Sequence, residues 1–137
     1  MTRVASRTKA RRLAIDVLYG SDVTGSDGRA VLAEWEEAGR DVPAFTRDLV
    51  DGVAENLEEL DRTIGSHSED WRVERMASVD RTILRVATFE LTILGTPVGA
   101  AIDEAVKAAK DLSTEDSGRF VNGVLGRIAE DLGRAEG

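Results

Sequence analysis

Hydrophobic residues recur along this chain every three or four positions, as they do on one face of an α-helix. In the first such segment, Ala10, Leu13, Ala14, Val17 and Leu18 share a face. Six later segments keep the same period, and none alternates in the way that is typical of a strand. The pattern therefore predicts an all-α fold of about seven helices, at residues 7–19, 29–38, 43–64, 71–76, 78–94, 98–112 and 120–132.

Glycine and short polar residues separate the predicted helices. Residues 20–28 (GSDVTGSDG) and 113–118 predict turns or loops, and Gly39 and Gly65 predict helix ends. The helix at residues 78–94 is apolar around much of its circumference, so we expect it to be the central core helix. Because there is no repeat or linker, residues 1–137 are expected to form one domain, built as two small bundles along one core.

Composition narrows the class of protein. Hydrophobic residues make up 42% of the chain, enough for a core, and the absence of cysteine excludes disulfides and thiolate metal sites. The single histidine, His67, argues against a histidine metal site or a Ser-His-Asp triad, and we expect it in an exposed cap or loop. No cofactor is expected. Without a membrane-length apolar run or an apolar signal sequence, we expect a cytoplasmic protein.

Charge is unevenly distributed along the chain, whose net charge is −8. Residues 1–12 contain five basic residues and no acidic one, whereas the other 13 basic residues face 26 acidic ones, so the remainder carries −13. A cationic end can meet phosphate, and an acidic body can meet a basic protein. The alternative is that the basic residues only solvate the start of a helix.

A helical wheel of the first helix places a cationic arc beside the buried stripe. The arc contains Thr8, Arg11, Arg12, Ile15 and Tyr19, with Arg7 at its margin and Lys9 pointing elsewhere. Arginines that clamp phosphates and an aromatic ring that stacks on a base are how single-stranded RNA is commonly bound. The alternative is that Tyr19 only covers one end of the core.

Carboxylates on the later helices raise an enzymatic alternative, in which two of Glu90, Asp103 and Glu104 act as general acid and base. No adjacent nucleophile or histidine and no Gly-rich phosphate loop accompanies them. We therefore expect these carboxylates to form salt bridges or caps, and we expect no enzymatic activity.

Four blocks of the sequence resemble the NusB antitermination family. They are residues 11–19 (RRLAIDVLY), 79–91 (VDRTILRVATFEL), 101–110 (AIDEAVKAAK) and 115–125 (EDSGRFVNGVL), in the order and spacing of the family. The resemblance covers essentially the whole chain and is thin at residues 20–44. It departs at Arg12, where the family often has an acidic residue, and at Thr8, where a further arginine is common.

The resemblance implies a protein of two helical bundles that acts in transcription antitermination. Members of this family bind the boxA element of ribosomal RNA leader transcripts as single-stranded RNA, together with the ribosomal protein NusE, and the complex joins RNA polymerase to suppress premature termination. The residues of this chain that are expected to contact RNA include those on the cationic part of the first helix. They are Arg7, Lys9, Arg11, Arg12, Tyr19, Asp116, Arg119 and Phe120.

Two alternatives to this function stay open. The N-terminal domain of ribosomal RNA cytosine methyltransferases resembles the same fold, so the chain could be a fragment of such an enzyme. It could also be a helical interaction module with no RNA role. The sequence leaves the oligomeric state open between monomer and homodimer.

Acidic residues are expected at two of the interfaces that the resemblance implies. Glu74 and Asp80 flank the start of the core helix and are predicted to face NusE, which is basic. The alternative is that Asp80 only stabilises the positive end of its own helix. Asp116 is predicted to cap the last helix, and the resemblance also places it beside the RNA. There it would repel phosphate or accept a hydrogen bond from a base, with Arg119 supplying charge and Phe120 packing or stacking.

Overall fold

A computed structural model describes residues 3–69 and 71–133, with side chains from Arg7 onward. Within these ranges it contains seven α-helices and no strand, which confirms the all-α prediction. The helices are α1 (Arg3–Thr24), α2 (Gly28–Glu37), α3 (Ala44–Glu55), α4 (Leu57–Ser66), α5 (Ser78–Phe89), α6 (Val98–Leu112) and α7 (Glu115–Asp131). A 3₁₀ turn (Val73–Arg75) precedes α5, and a π-helical turn (Glu90–Leu94) extends it.

The helices form two bundles along one continuous core. Helices α1, α2 and α3 pack on one another, and α4, α6 and α7 surround α5. Helix α5 also packs on α1 and α3, which joins the two bundles and confirms its predicted central position. Its side chains Ile83 and Leu84 are buried in the same apolar cluster as Leu49 of α3 and Leu125 of α7.

A glycine lets the two bundles approach closely. Gly52 of α3 lies directly under the ring of Phe89 on α5, where a Cβ atom would overlap the ring. Both residues are buried, so the absence of a side chain at position 52 determines how near α3 lies to the central helix.

Two predicted boundaries in the first half are wrong. Helix α1 continues to Thr24, into the predicted loop at residues 20–28, because Asp22 forms ion pairs with Arg81 and Arg85 of α5. The predicted long helix at residues 43–64 is broken at Asn56, whose side-chain amide donates to the Gly52 carbonyl over 2.7 Å.

Boundaries in the second half also differ from the prediction. Residues 71–76 contain only the 3₁₀ turn, and the predicted turn at residues 113–118 is mostly helical. Helix α7 begins at Glu115 because the Thr114 hydroxyl accepts a hydrogen bond from the Ser117 N–H over 3.0 Å. Helix α6 has the predicted bounds, Val98–Leu112.

Candidate nucleic-acid interface

The exposed face of α1 carries several of the predicted RNA contacts. Arg7 and Lys9 are exposed, and Tyr19 is 42% exposed. The Arg7 guanidinium stacks on the Phe45 ring of α3 at 4.2 Å, which restrains the side chain without neutralising its charge. The exposed residues of α1 therefore offer cations and an aromatic ring to a ligand, with Lys9 on a different part of the helix circumference from Arg7. Arg3 is a further basic residue of α1, but its side chain is not among those that the structure describes.

Arg12 links the same face of α1 to the end of α6. Its Nη2 atom donates to Asp111 Oδ2 over 2.8 Å, and the two side chains are 33% and 63% exposed. A solvent-exposed ion pair of this kind contributes little to stability. The Arg12 guanidinium can therefore exchange Asp111 for a phosphate at small cost.

Arg11 has entirely different surroundings from Arg12. It is 8% exposed, and its Nε and Nη2 atoms each donate to a Glu90 carboxylate oxygen over 2.8 Å. Burial alone lowers the pKa of Arg11, but hydrogen bonding and attraction to Glu90, with a smaller contribution from Glu104, raise it above its usual value. The expectation that Arg11 is free to contact RNA is wrong, because this edge of α1 packs against α5 and α6.

The starts of α5 and α7 lie side by side, next to the end of α6. The Ser117 hydroxyl of α7 is 3.3 Å from Asp80 Oδ2 of α5 and 2.9 Å from Ser113 Oγ, just after α6. Asp111, in the last turn of α6, binds Arg12 of α1. These contacts bring the residues predicted on α7 close to those predicted on α1.

Asp116 is not the cap of α7 that the sequence predicts, since Thr114 fills that role. Asp116 lies in the first turn, where its carboxylate favours the positive end of the helix. Its side chain is 87% exposed and pairs with Arg119, which is also exposed. Phe120, one turn further along, is half-buried. The carboxylate therefore remains accessible to a ligand.

A cleft of about 290 Å³ opens beside the starts of α5 and α7. Two aromatic residues, Trp71 and Phe120, and two carboxylates, Asp80 and Asp116, line it together with Arg75. An aromatic wall can stack on a base, and a carboxylate can accept a hydrogen bond from a base amino group. The cleft therefore has the chemistry to hold an unstacked nucleobase.

The two acidic residues predicted to face NusE lie in different places. Glu74 is exposed and lines a larger groove of about 1040 Å³, whereas Asp80 lines the aromatic cleft. Burial raises the pKa of the Asp80 carboxyl, and the hydrogen bond from Ser117 only partly opposes this shift. Of the two, Glu74 is the more accessible negative charge.

An ionic network between α1, α4 and α5 was not predicted from the sequence. Asp22 accepts hydrogen bonds from Arg81 Nη2 over 2.6 Å and from Arg85 Nη1 over 3.0 Å, and Arg85 also binds both oxygens of Asp61 over 2.8 Å. Burial would raise the pKa of Asp22, but the hydrogen bonds from these arginines hold it below its ordinary value. The network fastens the last turns of α1 to the central helix.

The carboxylates that raised an enzymatic alternative have partners of their own. Glu90 binds Arg11 and accepts a hydrogen bond from the Thr96 hydroxyl over 3.0 Å, and Asp103 pairs with Lys107 within α6. In the part of the chain that the structure describes, no cluster of three potential ligands could hold a metal ion. No helix there has the length and apolarity to cross a membrane.

The sequence and the fold were compared with known proteins. Residues 8–130 match the NusB family. Transcription antitermination protein NusB of Saccharopolyspora erythraea is 44% identical over 92% of this chain and 88% of its own length, and that of Streptomyces griseus is 41% identical over 93% and 94%.

Solved structures give the same result. NusB of T. maritima superposes with a TM-score of 0.82 at 36% identity, over 91% of both chains. A crystal structure of the antitermination factors NusB and NusE in complex with double-stranded RNA contains a chain with a TM-score of 0.82 at 31% identity, covering 96% of this chain and 99% of that one. On sequence and fold together, this chain belongs to the NusB family.

Proposed function

We propose that this protein is a transcription antitermination factor that binds boxA RNA of ribosomal RNA leader transcripts together with NusE, within the antitermination complex of RNA polymerase. The observation that carries the proposal is the set of exposed cations and the exposed Tyr19 on α1, together with the aromatic cleft at the starts of α5 and α7, on a chain of the NusB family. The related structure with NusE and RNA supports both partners.

The RNA-binding surface in this proposal has two parts. On α1, Arg7, Lys9 and Arg12 neutralise phosphates, and Tyr19 stacks on a base. At the start of α7, Arg119 adds positive charge, while Asp116 and Phe120 contact a base. Arg11 acts indirectly, since its buried pair with Glu90 holds α1 against the central helix.

Asp116 has two opposing effects in this proposal. Its exposed carboxylate repels the phosphate backbone and lowers overall affinity, but it accepts a hydrogen bond from an exocyclic amino group and so favours particular bases. The pairing with Arg119 within the same turn moderates the repulsion.

NusE is proposed to bind next to the RNA, on the side of Glu74. Glu74 is exposed, so its negative charge can steer a basic protein toward this surface. Asp80 contributes at the border, because it lines the aromatic cleft and lies within hydrogen-bonding distance of Ser117. Asp80 is half-buried, so it is the less accessible of the two charges.

We further propose that the protein works without catalysis, as a single domain in the cytoplasm. The carboxylates Glu90, Asp103 and Glu104 are engaged in structural contacts. The relatives are named as antitermination proteins and are matched over most of their length, which favours this function over that of a methyltransferase domain. The oligomeric state stays open between monomer and homodimer.

Equilibrium binding tests the proposal. Fluorescence anisotropy of labelled single-stranded boxA RNA is measured with the protein alone, with NusE alone and with both, against a scrambled RNA and a boxA duplex. We expect the tightest binding with both proteins and a preference for the single-stranded boxA sequence. Equal affinity for boxA and scrambled RNA in the presence of NusE would contradict it.

A further inference from the structure

Trp71 is a large exposed aromatic residue to which the proposed function gives no role. It is 53% exposed and lies between α4 and the start of α5, just before the 3₁₀ turn. The indole lines two separate depressions, the aromatic cleft and the larger groove, so it forms the ridge between them. An exposed tryptophan at such a ridge is suited to contact with a ligand rather than to packing.

Charges differ on the two sides of this ridge. The cleft side carries Arg75, which is exposed and has no ion-pair partner among the described residues. The groove side carries exposed acidic and basic residues together, namely Glu58, Glu69 and Glu74 with Arg62 and Arg72. Arg75 therefore offers a positive charge to a phosphate next to Trp71 on the cleft side.

Trp71 is continuous with the proposed RNA surface. It shares the cleft with Phe120 and Asp116, which are assigned to base contacts above. Base stacking on an aromatic side chain is tolerant of sequence and is strengthened by a nearby arginine that binds the adjoining phosphate. Arg75 is the arginine in that position, four residues along the chain from Trp71 and lining the same cleft.

We propose that Trp71 is a stacking platform for a nucleobase of single-stranded RNA, with Arg75 binding the adjoining phosphate. This inference rests on the proposed RNA-binding function and deepens it.

Intrinsic fluorescence gives a direct test, because the chain contains only two tryptophans. The other, Trp35, is half-buried and stacked under Arg40 at 3.7 Å, so Trp35→Phe leaves Trp71 as the only tryptophan of this chain, and selective excitation of tryptophan excludes emission from Tyr19. Any tryptophan in NusE is first replaced, so that NusE adds no tryptophan emission. In the complex of W35F with this NusE, single-stranded boxA RNA should quench the emission of Trp71. The midpoint should match the dissociation constant from anisotropy.

Substitutions separate stacking from folding. Trp71→Ala should weaken RNA binding about fivefold to tenfold, the low end of the stacking range, since one face of the ring is available. Trp71→Phe keeps an aromatic surface and should restore most of the affinity. Both variants should melt within a few degrees of wild type, because the residue is exposed, and Trp35→Phe is the matched control.

Each other outcome identifies what has failed. If wild type binds boxA RNA and Trp71→Ala binds it equally well without quenching in W35F, the inference is wrong and the proposed function stands. If Trp71→Ala weakens binding of labelled NusE but leaves RNA binding to this protein unchanged, Trp71 belongs to the protein interface and the inference is wrong. If wild type with NusE does not bind boxA RNA, the function and the inference fail together.

Discussion

The two faces of α1 carry neighbouring arginines in opposite surroundings. Arg11 is 8% exposed and bound to Glu90 through two hydrogen bonds, whereas Arg12 shares a partly exposed pair with Asp111. Breaking the Arg11–Glu90 pair leaves a buried charge without its partner, which strongly destabilises the fold. Breaking the Arg12–Asp111 pair costs little free energy of folding. The comparison shows that burial, and not residue type, decides which arginine supports the fold and which can bind RNA.

Breaking the buried pair should have the largest effect. Glu90→Ala leaves the Arg11 guanidinium buried without its main partner, so the free energy of unfolding should fall by about 3–5 kcal/mol. Urea denaturation followed by circular dichroism measures the loss.

The matched control is Asp103→Ala on α6. It removes a carboxylate from a pair with Lys107 in which both side chains are about two-thirds exposed, at 67% and 64%. The cost should be below about 0.5 kcal/mol. If Glu90→Ala were as stable as Asp103→Ala, the buried pair would not have the structural role described.

On the exposed face, Arg12→Ala should change RNA binding while leaving stability nearly intact. Losing one phosphate contact should weaken boxA binding about fivefold near 0.1 M salt and lower the slope of log K against log salt by about 0.7. Anisotropy titrations in the presence of NusE measure both quantities.

Lys107→Ala removes the same charge from an exposed site on α6 and should have a smaller effect on the slope. An unchanged affinity and slope in Arg12→Ala would remove this residue from the RNA surface. A loss of stability as large as that in Glu90→Ala would erase the distinction between the two faces of α1.

Asp116→Asn should have a smaller effect, of opposite sign. Removing the exposed negative charge should raise affinity for boxA RNA by a few-fold, and it should reduce discrimination against a scrambled sequence. Stability should barely change because Thr114 caps α7. Thr114→Val provides the contrast, with a stability cost of about 1 kcal/mol. Unchanged RNA affinity in Asp116→Asn would leave this carboxylate without a role at the interface.

The smallest effect should be a pH dependence at His67. This residue caps the end of α4 and is half-buried, so the expectation of an exposed residue is only partly correct. Its Nδ1 lies 2.8 Å from the Thr63 carbonyl and its Nε2 lies 2.5 Å from Asp131 Oδ2. The hydrogen bond to Thr63 and the carboxylate of Asp131 raise the pKa of His67, while burial and Arg127 oppose the shift.

The pKa of His67 is higher in the folded protein than in the unfolded chain. The contacts of His67 therefore stabilise the fold fully below the unfolded pKa of about 6.5, and this stabilisation is lost as pH rises through the folded-state pKa. The melting temperature of wild type relative to His67→Gln should therefore fall between about pH 6 and pH 8. An NMR titration of His67 in wild type and in Asp131→Asn checks the cause. Parallel melting curves for wild type and His67→Gln across this range would contradict it.

Sequence periodicity predicts the fold well where the apolar pattern of a helix alone determines its length and burial. The bounds of α6 and the central position of α5 follow from their own residues. The number of helices agrees partly by compensation, because the predicted long helix divides at Asn56 and the predicted helix at residues 71–76 contains only a 3₁₀ turn. Such details depend on contacts with other parts of the chain.

The candidate site was harder to predict, for the same reason. A helical wheel places Arg11 and Arg12 on one arc, and only the packing of α5 and α6 separates them. The local composition around Asp22, rich in Gly and Ser, predicts a loop, yet partners about 60 residues away keep this residue helical. Trp71 follows a polar stretch, and its place beside Phe120 appears only in the folded chain.

The central claim is that exposed cations on α1 and α7 bind RNA phosphates despite the net charge of −8. The most direct measurement is the salt dependence of boxA binding by the wild-type protein with NusE, corrected for the slope of NusE alone. Contacts from Arg7, Lys9, Arg12 and Arg119 predict an added slope of about −3 in log K against log salt, at roughly −0.7 per contact. An added slope near zero would contradict the account.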